Sequence, residues 1–281
     1  MAVITDSVAA LTPELILDHE LFVARMEITV DGKTIVDTGS SELDEFYSTL
    51  ASSKDVPTTS AAKPVEYLDR MNSAADIAEG VFCVTVSAKL SAAYDAALLS
   101  SDEFSRNNPD HEVRIFDSAA AAGSQALIVL AAARVAKRGG SIDEVETAAK
   151  FVARRVRLVA MLDTLRFIHR SGRVPKIAVW ATTALNIKPV MEFSADKIRA
   201  IARPRSVRKA VDRIRKDMLT DLDGRIAHIN VMHAGAPERA EALREWAESN
   251  LECAEIFVTQ FHPFMGAHTG LGLVGASWWS E

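Results

Sequence analysis

The stretch GVFCVTVSAKLSAAYDAALLSSDEFSRNNPDHEVRIFDS, Gly80–Ser118, decides the fold. Gly80 to Ser87 is an apolar run of strand length, Leu90 to Phe104 carries its apolar residues at helical spacing, and Glu112 to Asp117 reads as a second strand. An apolar run without alternation suits a strand buried on both faces. A repeating order of strand, helix and strand places such strands in parallel under a layer of helices. The rhythm extends outward. Upstream, Ala2–Ile4 is a strand, and Thr12 with Pro13 caps and opens a helix. Downstream, the Ala-rich segment from Ala119 to Lys137 is a long helix stopped by Gly139 and Gly140. Ser141 and Glu144 then form a capping-box pattern that opens another helix, to about Arg155.

Two regions depart from this rhythm. Phe22 to Asp37 alternates and turns at Asp31-Gly32, a strong hairpin signal, before a helix over Glu42–Ser52. After a strand at Arg157–Leu162 the texture changes again. Pro189 to Ala202 alternates around Ser194-Ala195-Asp196-Lys197 as an antiparallel hairpin. A basic helix (Ser206–Leu219), a strand (Arg225–His233), a helix opened by Pro237 and a strand (Ala254–Phe261) follow. The expected fold is α/β with two domains. Residues 1–156 hold a mostly parallel sheet flanked by helices, and residues 157–281 form a second α/β domain with a mixed or antiparallel sheet.

Composition narrows the function. The 281 residues are 48% hydrophobic and 25% charged, an ordinary globular balance, with a net charge of -6. That charge gives no footprint for nucleic acid. Cys83 and Cys253 lie in apolar strand-like runs, where a thiol behaves as a small hydrophobe, and suggest no disulfide framework. The longest apolar segment, Ala126–Ala133, is too short to cross a bilayer, and MAVITDS carries no leader-like pattern. The expectation is a cytoplasmic monomer without membrane insertion.

The chemistry-bearing residues cluster in three short motifs: PTTSAAKP (Pro57–Pro64), SAKLSAAYDAA (Ser87–Ala97) and GAHTGLG (Gly266–Gly272). Thr58, Thr59 and Ser60 read as a strand-to-helix transition, where hydroxyls cap the helix or, with the free amides, hold an anion. Ser91 occupies an equivalent place. Ligands of open parallel sheets bind at the carboxyl ends of the strands, so two hydroxyl-bearing helix starts on that edge point to a small acidic group. His268, in a Gly-rich turn, serves either a structural hydrogen bond or a carboxylate. His228, His233 and His262 read as structural, and no spacing predicts a metal or cofactor site. Gly270 to Gly275 matches GxGxxG, yet only six residues follow, too few for the helix and strand that a dinucleotide site requires. Walker A and GxSxG patterns are absent. A trio of Ser91, His268 and Asp6 or Asp117 can be assembled on paper as an acyl-transfer or hydrolytic centre.

Taken in order, ITDS (Ile4–Ser7), TTS (Thr58–Ser60) with the following Pro64, SAKLSAAY (Ser87–Tyr94), FDS (Phe116–Ser118), LDTLRFIHRSGRV (Leu162–Val174), LNIKPV (Leu185–Val190) and GAHTG (Gly266–Gly270) resemble the DegV family. The resemblance covers nearly the whole chain. It implies a two-domain α/β protein that binds a long-chain fatty acid and, in some members, presents it to a separate ATP-binding subunit of a fatty acid kinase. On this resemblance the carboxylate ligands are Thr59, Ser91, His268 and Arg203, with Arg205 competing for the last place. The protein itself would be a carrier with no catalytic residue. Two departures stand out: Ala92 and Ala93 replace the Gly and Thr common after the serine, and Ala61 and Ala62 intervene before Lys63-Pro64. Both alter the surroundings of the head group without removing an implied ligand.

Overall fold

The computed structural model describes residues 1–37, 43–52, 57–174, 187–194 and 197–281. Its first seven strands are β1 (Ala2–Asp6), β2 (Phe22–Ala24), β3 (Glu27–Val30), β4 (Lys33–Val36), β5 (Thr58–Ser60), β6 (Gly80–Thr85) and β7 (Glu112–Asp117). Four of them form an all-parallel sheet in the order β2-β1-β6-β7. Residue parity sorts its side chains, because successive residues of a strand face opposite sides. Val3, Phe82 and Val84 join the helices Ala122–Lys137 and Ile142–Ala153 on one face. Ile4, Val81 and Cys83 join Tyr67, Met71 and Phe104, from the helices Pro64–Ala75 and Ala93–Asn107, on the other. Both faces are thus covered, which is why Gly80–Thr85 carries no polar alternation and is buried throughout.

A small antiparallel sheet, β4-β3-β5, stands beside this layer. Asp31 and Gly32 turn the β3–β4 hairpin with φ of 47° and 77°, as a two-residue loop with both φ positive requires. The TTS motif is not a helix start. Thr58–Ser60 is β5, with Thr59 opposite Ile28, and three residues separate it from the helix at Pro64, whose cap position, Lys63, makes no side-chain capping bond. The β-branched pair Thr58-Thr59 suits a pleated strand, and that preference prevails over capping. The expected helix over Glu42–Ser52 is described from Leu43, Glu42 lying outside the described residues.

The remaining strands are β8 (Arg157–Met161), β9 (Val190–Ser194), β10 (Lys197–Ala202), β11 (Ala227–His233), β12 (Cys253–Gln260) and β13 (Val274–Ser280). They form a mixed sheet, β10-β9-β8-β13-β11-β12, in which only β11 and β12 run parallel. The expected hairpin is β9–β10, although its turn residues 195–196 lie outside the described residues, as do residues 185–186 of the LNIKPV motif. The last strand, β13, sits inside the sheet between β8 and β11. A strand rather than a helix therefore follows the GxGxxG match.

The helix Ala122–Lys137 binds the two large sheets together. Gln125 donates to Thr5 and Asp6 on β1, and Ser124 donates to Ser277 on β13 at 3.2 Å. Arg134 Nη1 donates to Glu255 on β12 at 2.9 Å. Gly123 permits this contact, since a Cβ there would overlap Asn230 of β11. The helix begins three residues later than the sequence suggests, because Ala119 and Ala122 both take the left-handed conformation, each with φ 51°. No helix among the described residues is long and apolar enough to cross a membrane, and both cysteines are free thiols.

Candidate functional site

Strand β1 is the point where the parallel sheet changes direction: the chain passes from it to β2 on one side and later returns to β6 on the other. Open α/β sheets bind ligands beyond the carboxyl ends of the strands at such a point. A cavity lies there. Its floor comes from residues just past those strand ends, namely Val8, Val86, Leu90, Ser91, Ala121 and Ala122. The mixed sheet supplies Leu158, Ala160 and Phe193. The segments around 168–174 and 261–273 close it with Ile168, Arg173, Val174, Phe261, Phe264, Met265, His268, Thr269 and Leu273. It encloses about 730 Å³ of empty space, counting its open mouth.

Among the described residues, four polar ones line this cavity: Ser91, Arg173, His268 and Thr269. The Thr269 hydroxyl donates to the carbonyl of Met265 at 3.0 Å. Ser91 Oγ accepts from the Ala93 amide at 3.3 Å, which leaves its own proton available to an acceptor. His268 is not in a turn. It lies in the short helix Pro263–Thr269, with Nε2 2.9 Å from Thr59 Oγ1 and its ring edge-on to Phe264. Burial, and secondarily the charge of Arg173, lowers its pKa to about 4, so the imidazole is neutral near pH 7. Gly270 ends this helix at φ 72°, and a Cβ there would overlap the Phe167 ring.

Asp6 builds the floor rather than reaching the ligand space. Its buried carboxylate accepts from the amides of Val8 (3.2 Å) and Val86 (2.8 Å), both cavity residues, and from Gln125 Nε2 (3.0 Å) and Tyr67 Oη (3.4 Å). Burial outweighs these bonds and raises its pKa to about 6. Asp117 accepts from the amides of Ala88 and Ala119. Neither carboxylate hydrogen-bonds His268, whose partner is Thr59, so the orienting arm of a Ser–His–Asp triad is missing among the described residues.

The structure thus brings together Ser91, His268 and, through His268, Thr59. Arg203 is exposed just past β10, Arg205 is exposed two residues further on, and neither lines the cavity. Among the described residues the cation that lines it is Arg173. It lies within the quoted RSGRV motif, so a signal was present, but a basic residue in a loop does not reveal which way it folds. Of the other histidines, His233 Nδ1 accepts from the Ala236 amide, and His228 stacks on Trp279 while bonding Glu255. Among the described residues no group of three or more His, Cys, Asp or Glu is placed to hold a metal ion.

Comparison with known proteins agrees with this architecture. The family model described as "Uncharacterised protein, DegV family" matches residues 1–281, and the chain belongs to the DegV family. A DegV domain-containing protein of Caldanaerobacter subterraneus subsp. tengcongensis is 26% identical over 276 residues, covering 98% of this chain and 97% of that one. Another, from Streptomyces coelicolor, is 27% identical over 277 residues, with 98% and 96% covered. Among solved structures, a DegV family protein from Thermus thermophilus described for its fatty acid binding superposes with a TM-score of 0.91. It is 25% identical, and the match covers 100% of this chain and 99% of that one. A stearic-acid-binding protein from Eubacterium ventriosum (TM-score 0.90, 20% identical, 100% and 98% covered) shares the fold. So does DegV of Bacillus subtilis, a fatty acid binding protein (TM-score 0.88, 23% identical, 100% and 99% covered). The family resemblance and the α/β architecture read from the sequence are both borne out.

Proposed function

We propose that this protein binds a long-chain fatty acid, with its acyl chain in the cavity beyond β1 and β6 and its carboxylate at Ser91, His268 and Thr59. The observation that carries this reading is the distribution of polarity. A cavity lined almost wholly by aliphatic and aromatic side chains holds a few convergent polar groups, which suits a ligand with one polar end. Burying about 14 methylenes of a 16-carbon acid is worth roughly 11 kcal/mol at ~0.8 kcal/mol each, of which association and ordering take back a large part. The acyl chain therefore sets affinity and the polar end sets orientation. A carboxylate in such a place needs donors. Ser91 supplies a hydroxyl, the Thr59–His268 pair supplies another proton, and Arg173 supplies positive charge beside the ring. That the related structures are described as binding fatty acids supports a fatty acid as the ligand.

The protein acts as a carrier that presents the acid rather than as an enzyme. Formation of an acyl phosphate would require a separate subunit holding ATP: a carboxylate oxygen attacks the γ-phosphorus and ADP leaves. The hydroxyl and imidazole donors hold the carboxylate without reacting with it. Mass spectrometry of an organic extract from natively purified protein tests the binding directly. A long-chain fatty acid at one equivalent supports the reading, whereas an empty extract together with no uptake of added acid rejects it. Acyl phosphate production with a purified ATP-binding subunit tests the presenting role separately.

A further inference from the structure

Among the described residues, six that are not glycine take a positive φ: Ala10, Glu20, Asp31, Ala119, Ala122 and Asp223. Of these, Ala122 is the one that lines the lipid cavity, and it is 1% exposed. A side chain at such a φ, here 51°, crowds its Cβ against the following carbonyl oxygen, a cost that glycine escapes. The backbone has little freedom to relieve that crowding. Gly123 lies so close to β11 and β13 that a Cβ there would overlap Asn230 Oδ1 and Ser277 Oγ. One residue on, Ser124 donates to Ser277 at 3.2 Å. The Ala122 methyl is therefore held at a fixed place in the cavity lining.

That place lies away from the polar end of the cavity. Ser277 stands opposite Leu158 in the mixed sheet, and Leu158 lines the cavity near the start of β8. His268 and Thr269 enter from the other end, since Leu273 follows them closely and its neighbour Val274 stands opposite Met161, the last residue of β8. Three residue steps, about 10 Å of strand, separate Leu158 from Met161. An acyl chain whose carboxylate sits at Ser91 and His268 thus brings its tail toward Ala122 and Leu158. Groups packed at the density of a protein interior feel the gain or loss of one methyl group. We infer that Ala122 is a specificity-determining residue: its methyl narrows the tail end of the cavity and selects a straight acyl chain over one branched near its methyl terminus. The inference rests on the fatty-acid reading of the cavity. Ala119 supplies an internal comparison, for it has the same φ of 51° but is no part of the lining.

Displacement of a fluorescent fatty acid from the full chain tests the inference, with palmitate and 15-methylhexadecanoate, the same main chain carrying one methyl branch near its tail. The wild-type protein is expected to bind palmitate the more tightly. In Ala122→Gly the ratio of the two affinities should shift toward the branched acid by about fourfold, the worth of one buried methyl group. Ala119→Gly, which relieves the same φ outside the lining, should keep the wild-type ratio. Glycine takes a left-handed φ freely, so both variants are expected to fold. A wild-type preference for the branched acid, an unchanged ratio in Ala122→Gly, or an equal shift in Ala119→Gly overturns the inference while leaving fatty acid binding in place. Uptake of neither acid by any of the three proteins overturns the fatty-acid reading itself, and this inference with it.

Discussion

Thr59 Oγ1 lies 2.9 Å from His268 Nε2, although 209 positions separate the two residues in the chain. The bond joins the edge strand β5 of the small antiparallel sheet to the helix Pro263–Thr269, which closes the cavity from the far end of the sequence. A neutral imidazole held by a hydroxyl can keep a donor aimed at a ligand without placing a second full charge beside Arg173. The pair therefore unites an early sequence motif with a late one in a single polar end.

Removing the hydroxyls should weaken lipid binding far more than it weakens the fold. For Thr59→Ala combined with Ser91→Ala, the expected outcome is a loss of about tenfold or more in fatty acid affinity, as the Ser91 hydrogen bond to the carboxylate disappears and His268 loses the hydroxyl that holds it. Displacement of a fluorescent fatty acid reads this. The denaturation midpoint should move only slightly, because neither residue is fully buried. Native affinity in the double variant would remove the head-group assignment.

Arg173 acts on His268 through its charge. In Arg173→Gln the His268 pKa should rise from about 4 yet stay below that of a free imidazole, since burial is the larger cause and remains. An NMR titration of the ring measures the shift. An unchanged value would mean that the guanidinium does not act on the ring. The same variant should bind fatty acid more weakly.

Acid should destabilise the ligand-free protein between about pH 6.5 and pH 4. His262 and His268 both titrate near 4 when folded, so over this range the unfolded chain takes up protons that the folded one refuses. Each histidine withdraws about 3 kcal/mol across the window. Asp6 works the other way. Its folded value of about 6 lies above the unfolded 3.8, so its contribution is greatest below 3.8 and is lost as pH rises through 6. With two groups against one, the net effect is loss of stability on acidification. Urea midpoints at pH 7 and pH 4.5 measure it. Asp6→Asn, which mimics the protonated acid, should steepen the loss, and a parallel pH profile for this variant would refute the role given to Asp6.

Gly270→Ala should cost about 3 kcal/mol or more, because it combines a left-handed φ with a clash against Phe167. Denaturant titration tests the magnitude. Since Gly270 ends the helix that bears His268, lipid affinity should fall in the same variant even where it remains folded.

The sequence by itself determined the repeating α/β layer. Gly80–Thr85 is apolar at every position but Thr85, the Thr12-Pro13 and Ser141–Glu144 signals open helices in the structure, and Asp31-Gly32 turns a hairpin, all through interactions within a few residues. It also offered Ser91, Thr59 and His268 as candidates, because short motifs survive being read one at a time. Tertiary structure decided what depends on distant partners. Thr58–Ser60 became a strand because Ile28 stands opposite it, and Val274–Ser280 became an inner strand because β8 and β11 leave a gap for it. Arg173 rather than Arg203 reached the cavity for a like reason: where a loop cation points is set by the surfaces that pack around it. Asp6 became the brace of the cavity floor because the amides of Val8 and Val86 converge on it only once β1 and β6 lie side by side. Local pattern records which elements a chain can form. Which side chains meet depends on packing between residues as far apart as Thr59 and His268.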